Sequence, residues 1–318
     1  MRGGWCGPRR WRRPRAVSGT LLLAALSGVL VLAACGSAAK GGKVVAVGAE
    51  NEYANVISQI GGKYVSASAI MSNPNTDPHT FEASPQVARV VSAAQLVIQN
   101  GVGYDSFMGK IEAASPSKKR KVIDVQKLLG LPDSTANPHL WYSPRTMPAV
   151  AQAVAADLSA LDPAHAAYFK ANARKFDLSL QPWLLAVAAV KAKYPHVPVA
   201  TTEPVADYML QAAGAHILTP WTLQADIMNG VDPSPQAVSL QESFFSKHKV
   251  KVFLYNQQVT DTITQTFLAA AKNAGIPIVG VYETMPTPGY TYQSWMLAEV
   301  HALQQALAHK KSTTTLGG

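Results

Sequence analysis

The chain has 318 residues, 48% of them hydrophobic, and a formal net charge of +9; that length buries one large core or two ordinary ones. Six basic residues, Arg2, Arg9, Arg10, Arg12, Arg13 and Arg15, precede residue 35, where no Asp or Glu occurs, and the rest of the chain sets 22 Lys plus Arg against 19 Asp plus Glu. A remainder this close to neutrality excludes a phosphate-binding surface, and nucleic acid with it, as the basis of function.

Residues 1–34 read as a secretory signal peptide: a basic stretch to Arg15, an apolar run over 16–34, then small residues at a cleavage point. The alternative is an uncleaved anchor, since roughly 18 apolar residues nearly span a bilayer. Leu32-Ala33-Ala34-Cys35-Gly36-Ser37 resembles the lipobox of bacterial lipoproteins. The resemblance implies lipidation of Cys35 as the new N-terminus, and an extracytoplasmic protein anchored to the bacterial cell membrane by that lipid. With Cys6 discarded and Cys35 acylated, no disulfide and no thiolate metal site remain. Any metal must be held by His and carboxylate.

After a lipidated linker over 35–42, short apolar runs alternate with helical patterns. Strands are predicted over 43–48, 64–71, 96–100 and 122–125, with helices over 51–60 and from about Ser84. From 144 to 161, and again from 162 to 194, the pattern is helical. Asp162-Pro163 fits an N-cap with Pro at the first helical position. A helix of about 30 residues is roughly 45 Å long, enough to join two lobes as a rigid connector. Strands follow over 197–202, 215–218, 250–255 and 276–282, helices over 205–213, 235–247, 260–273 and 290–308. The predicted class is α/β with two lobes, 43–161 and 195–311, each a mainly parallel sheet flanked by helices. The long helix 162–194 joins them, and 312–318 is a tail.

Ligands of open α/β sheets gather outside the carboxyl ends of the strands, and four polar residues stand there. His79 lies in a loop stiffened by Pro74 and Pro78; it is a ligand or a surface His in a turn. His139 repeats the Pro-His pairing, in Asn137-Pro138-His139-Leu140-Trp141-Tyr142-Ser143-Pro144; it is a ligand or a ring packed beneath Trp141. Glu203 and Glu283 each end a strand, as ligands or as partners of a helix N-terminus. Two neutral His and two carboxylates carry about −2, which balances one divalent ion, and the donor mix suits Mn²⁺, Fe²⁺ or Zn²⁺ better than Ca²⁺ or Cu⁺.

Four segments carry a wider resemblance: Asp77-Pro78-His79-Thr80-Phe81-Glu82, the His139 motif, Thr202-Glu203-Pro204 with Tyr208 behind it, and Val281-Tyr282-Glu283-Thr284. Over about 43–308 the chain is similar to the metal-binding components of zinc and manganese ABC importers, the ZnuA/TroA-like solute-binding proteins. The resemblance implies a metal site of His79, His139, Glu203 and Glu283, with Asp77 and Glu82 orienting the imidazoles behind them. It implies one Zn²⁺ or Mn²⁺ as cargo, an ABC permease and its ATPase as partners, a monomer, and no enzymatic activity. The fourth position departs from the family's usual Asp. Residues 110–136 hold no His, whereas zinc-specific members often carry a His-rich loop there. Two other readings are weighed: a surface adhesion lipoprotein with a structural metal, and a metallohydrolase. The sequence lacks His-Glu-x-x-His and Gly-x-Ser-x-Gly.

Overall fold

Apolar runs too short for helices become the strands of two four-stranded parallel sheets. The computed structural model describes residues 42–73, 81–286 and 288–316; the leader, Cys35, Asp77 and His79 lie outside the described residues. The first half comprises β1 (Val44–Glu50), α1 (Asn51–Gly61), β2 (Val65–Met71), α2 (Pro85–Ala93), β3 (Leu96–Gln99), α3 (Ser106–Ala114), β4 (Lys121–Asp124) and α4 (Val125–Leu128). Helices α5 (Thr146–Leu161), α6 (Ala166–Ser179) and α7 (Gln181–Lys193) lead to the second half. There follow β5 (Pro198–Thr201), α8 (Asp207–Ala212), β6 (His216–Ile217), α9 (Trp221–Met228), α10 (Pro235–Ser246), β7 (Val252–Asn256), α11 (Thr262–Asn273), β8 (Ile278–Val281) and α12 (Tyr292–His309).

The sheets repeat one topology, β2-β1-β3-β4 and β6-β5-β7-β8, with every pair parallel. Strand order reverses between β1 and β3 and between β5 and β7, so each sheet opens a crevice at its carboxyl end. Leu96, Val97 and Ile98 are wholly buried, and every residue of β7 is buried, because helices cover both faces. One apolar cluster runs from Ala46, Leu96 and Ile98 through Trp141, Phe176 and Trp183 to Val199, Val279 and Trp295. The two sheets therefore share a core.

The connecting helix is α6 followed by α7. Helical dihedrals persist through Leu180, at φ −79° and ψ −15°, but Pro182 has no N–H to continue the ladder, so the run breaks there. Asp162 occupies the expected N-cap position with Pro163 next, but the helix it opens is a 3-10 turn, Pro163–His165, and its side chain makes no cap bond; Asp162 Oδ2 instead contacts His165 Nδ1 at 2.6 Å. Ser84 caps α2 through Val87 N–H. Helices α3, α4 and α9 have no counterpart among the predicted elements.

Asn51, at the start of α1, donates through Nδ2 to Met285 O at 2.8 Å and accepts Met285 N–H through Oδ1 at 2.9 Å. This buried pair closes the first half of the chain on the segment after β8. Each buried bond contributes about 1 kcal/mol, and stranding its partner costs more. Asn51→Ala is expected to lower unfolding free energy by about 2–4 kcal/mol, measured by urea denaturation.

Candidate metal centre

Three consecutive left-handed residues after β3, Gly101, Val102 and Gly103 at φ 80°, 54° and 77°, turn the chain sharply. Gly101 has no room for a side chain, since a Cβ would stand 2.8 Å from Gln126 Cβ. Val102 is β-branched and strained there, by roughly 1–3 kcal/mol. Asp105 holds the turn by accepting Asn100 N–H at 2.5 Å and Gly101 N–H at 3.0 Å, and Gln126 accepts Val102 N–H at 2.7 Å. The turn delivers Tyr104, whose hydroxyl donates to Glu283 Oε2 at 2.9 Å.

His139 is completely buried. Its ring meets Trp141 and Tyr104 edge-on, with centroids 5.4 Å and 5.9 Å away. Asn137 Oδ1 stands 3.0 Å from His139 backbone N and 2.8 Å from Nδ1. The Asn137 amide is oriented by its own nitrogen, which donates to Pro204 O at 2.8 Å. With Oδ1 facing it, Nδ1 carries a proton and Nε2 is turned toward Glu283, whose Oε2 lies 3.4 Å away. Asn100 Nδ2 donates to Pro138 O at 2.8 Å and ties the same loop to the end of β3.

Glu203, buried, follows β5 and precedes Pro204. The Asn137–Pro204 bond, with Tyr208 O–H donating to Asn137 O at 2.9 Å, joins its loop to the His139 loop. Glu283, also buried, follows β8. Asn256 Nδ2 donates to Glu283 Oε1 at 2.5 Å, and Gln258 Oε1 accepts the N–H groups of Glu283 and Thr284 at 2.6 and 2.8 Å. The structure thus brings His139 and Glu283 into contact and links the Glu203 loop to them. Glu82 is exposed. Among the described residues no three His, Cys, Asp or Glu side chains form a metal-holding group.

Two further acids line this region. Burial, then the nearby Asp105 and Glu52 charges, holds Glu50 well above the ordinary carboxylate range. Burial does the same to Glu52, which Glu283 also raises. In both, burial disfavours the charged form. Burial first, then the Glu283 charge, keeps the Tyr104 phenol protonated and able to donate.

The family model described as "Zinc-uptake complex component A periplasmic" matches residues 47–306. The chain belongs to this family. "Manganese ABC transporter substrate-binding lipoprotein PsaA" of Streptococcus mitis is 24% identical over 281 residues, covering 82% of this chain and 87% of that protein. "Manganese-binding lipoprotein MntA" of Bacillus subtilis (strain 168) is 25% identical over 171 residues, and the match covers 51% of this chain and 56% of that protein. The periplasmic zinc binding protein TroA from Treponema pallidum superposes with a TM-score of 0.71 at 18% identity, over 85% of this chain and all of that one. Two parallel sheets flanked by helices, with a long helix between them, are thus the fold of the zinc-uptake family.

Sequence reasoning overlooked Asn137, Tyr104 and Asn256. Asn137 stood inside the quoted motif without a role, and Gly101-Val102-Gly103-Tyr104 carried the only local signal, a glycine pair marking a tight turn. Trp221, the first residue of α9, is 41% exposed.

Asp207, in the first turn of α8, accepts from Gln224 Nε2 at 2.9 Å, and burial raises its pKa to about 7. A raised pKa means the folded state takes up a proton that the unfolded state releases near 3.8. Its contribution to stability is full below that value and lost as pH rises through about 7. Relative to Asp207→Asn, the parent should lose stability across this interval and run parallel above it, by thermal melts at stepped pH.

Proposed function

We propose that this chain is the extracytoplasmic metal-binding component of an ABC importer, capturing one Mn²⁺ or Zn²⁺ between the two sheets and passing it to a membrane permease with its ATPase. It is a carrier and not an enzyme, held at the membrane by a lipid on Cys35. His79, His139, Glu203 and Glu283 are the ligands. The observation that carries this reading is the meeting of His139 Nε2 and Glu283 Oε2, 3.4 Å apart and wholly buried. An ion about 2.1 Å from each would subtend about 110°, the angle of tetrahedral coordination. The Asn137 contact to Nδ1 selects the tautomer whose Nε2 lone pair faces that ion.

Charge supports the same conclusion. Burial disfavours charge on Glu50 and Glu52, whereas donors from Tyr104 and Asn256 favour it on Glu283; carboxylates there and at Glu203 would balance one M²⁺. An ion stripped of water gains most where the surroundings are dry and the donors are already aimed. His139 and Glu283, buried and 3.4 Å apart, meet that requirement before metal arrives.

The full chain, purified without a tag in detergent, is expected to hold about one equivalent of Mn or Zn by mass spectrometry, and the His79→Ala, His139→Ala double variant none. No metal in either, and none taken up on titration, would overturn the ligand set. Tyr104→Phe removes the bond to Glu283 Oε2 and keeps the ring. It should weaken Mn²⁺ binding by roughly 10-fold in a competition titration.

A further inference from the structure

Glu299, on α12, is wholly buried. Its Oε1 lies 2.9 Å from the Tyr142 hydroxyl oxygen and accepts Trp295 Nε1–H at 2.7 Å. The same hydroxyl is 2.7 Å from Tyr282 O and accepts Tyr282 N–H at 3.3 Å. A tyrosine hydroxyl owns one proton. Tyr282 O and an ionised Glu299 Oε1 are both acceptors, so an ionised carboxylate would leave one short oxygen pair with no proton between them. Both contacts close when Oε1 carries the second proton: Glu299 donates to Tyr142, Tyr142 donates to Tyr282 O, and Trp295 donates to Oε1. Among the described residues Oε2 has no hydrogen-bond partner, a further cost for the charged form.

The ends of this link are informative. Tyr142 is three residues beyond His139, and Tyr282 immediately precedes Glu283. The Tyr142 ring packs on Trp295, with centroids 5.7 Å apart, and Tyr292 O–H donates to Trp141 O at 2.6 Å. Helix α12 therefore grips the His139 loop and the end of β8 together. We propose that Glu299 is a positioning residue for metal capture, a neutral carboxyl that through Tyr142 holds the His139 loop against the strand end bearing Glu283. This rests on the metal-binding reading above.

Burial raises the Glu299 carboxyl to about 8, partly offset by its polar neighbours Tyr142, Trp295 and the Tyr282 backbone. The titratable groups around it are Tyr142, Tyr282, Tyr290 and Tyr292, all raised by burial, and Glu52, which acts on Tyr142 and Tyr292. Among the described residues no Lys, Arg or His forms an ion pair with it. Only a protonated carboxyl can accept from Trp295 and donate to Tyr142 at one atom. An amide presents either O or N there and fails one of them.

The test compares the full chain with Glu299→Gln, Tyr142→Phe and the double variant, using Mn²⁺ as the probe. Each single variant is expected to bind Mn²⁺ roughly 10-fold more weakly, and the double variant no worse than the singles, since one link is broken in each. The ratio of Glu299→Gln to parent dissociation constants should shrink toward 1 as pH passes about 8, because ionisation breaks the parent's link too. Infrared spectra of the parent at neutral pH should contain a protonated-carboxyl C=O stretch that Glu299→Gln lacks. A parent that binds neither Mn²⁺ nor Zn²⁺ overturns the metal reading and this extension together. A parent that binds, beside a Glu299→Gln of equal affinity, a pH-independent ratio or an unchanged infrared band, overturns the extension alone.

Discussion

One carboxamide organises the region where the two sheets meet. Asn137 faces both N–H groups of His139 with its oxygen and reaches Pro204 with its nitrogen. A single side chain therefore orients the imidazole, selects its tautomer and fastens the first half of the chain to the loop carrying Glu203. Remove it, and three buried polar groups lose their partners at once. A hydrophobic residue of the same size could fill the space but could not aim the ring.

Burial does the electrostatic work around that bridge. Four acids, Glu50, Glu52, Asp105 and Glu299, are driven upward by desolvation, because a dry interior penalises the charged form. Carboxylates are thus made to differ by their surroundings. Glu283 is met by donors from Tyr104 and Asn256 and is suited to carry charge, whereas Glu50 and Glu52 are not. A site for a divalent cation needs this sorting, since several ionised acids packed together would repel one another or bind ions indiscriminately.

The paired topology explains why the region lies where it does. Each sheet has its reversal of strand order at the carboxyl end, so both present loops toward a shared seam. The common apolar cluster, which includes the buried Trp141, Trp183 and Trp295, draws on both halves of the chain. Helices α6 and α7 pack on different neighbours, α6 against α5 and α1 and α7 against α12.

The alternation of short apolar runs with helical patterns was enough to read the eight strands and most of the helices, because buried parallel strands must be continuous in hydrophobicity and bounded by polar turns. His139, Glu203 and Glu283 stood out as candidates for a related reason: each is a polar residue placed where a buried strand or a Pro-stiffened loop ends. What the sequence could not convey was partnership between distant residues. Asn137 meets Pro204, Tyr104 meets Glu283, and Tyr142 meets both Tyr282 and Glu299 across separations of 67 to 179 positions. Nor could it tell which Glu is hard to ionise, since Glu50, Glu52 and Glu283 are the same residue type until packing decides how much water and which donors each keeps. Composition and periodicity act locally along the chain and so determined the elements. Hydrogen-bond partners and proton affinities depend on what folding brings alongside, and only the tertiary structure decided those.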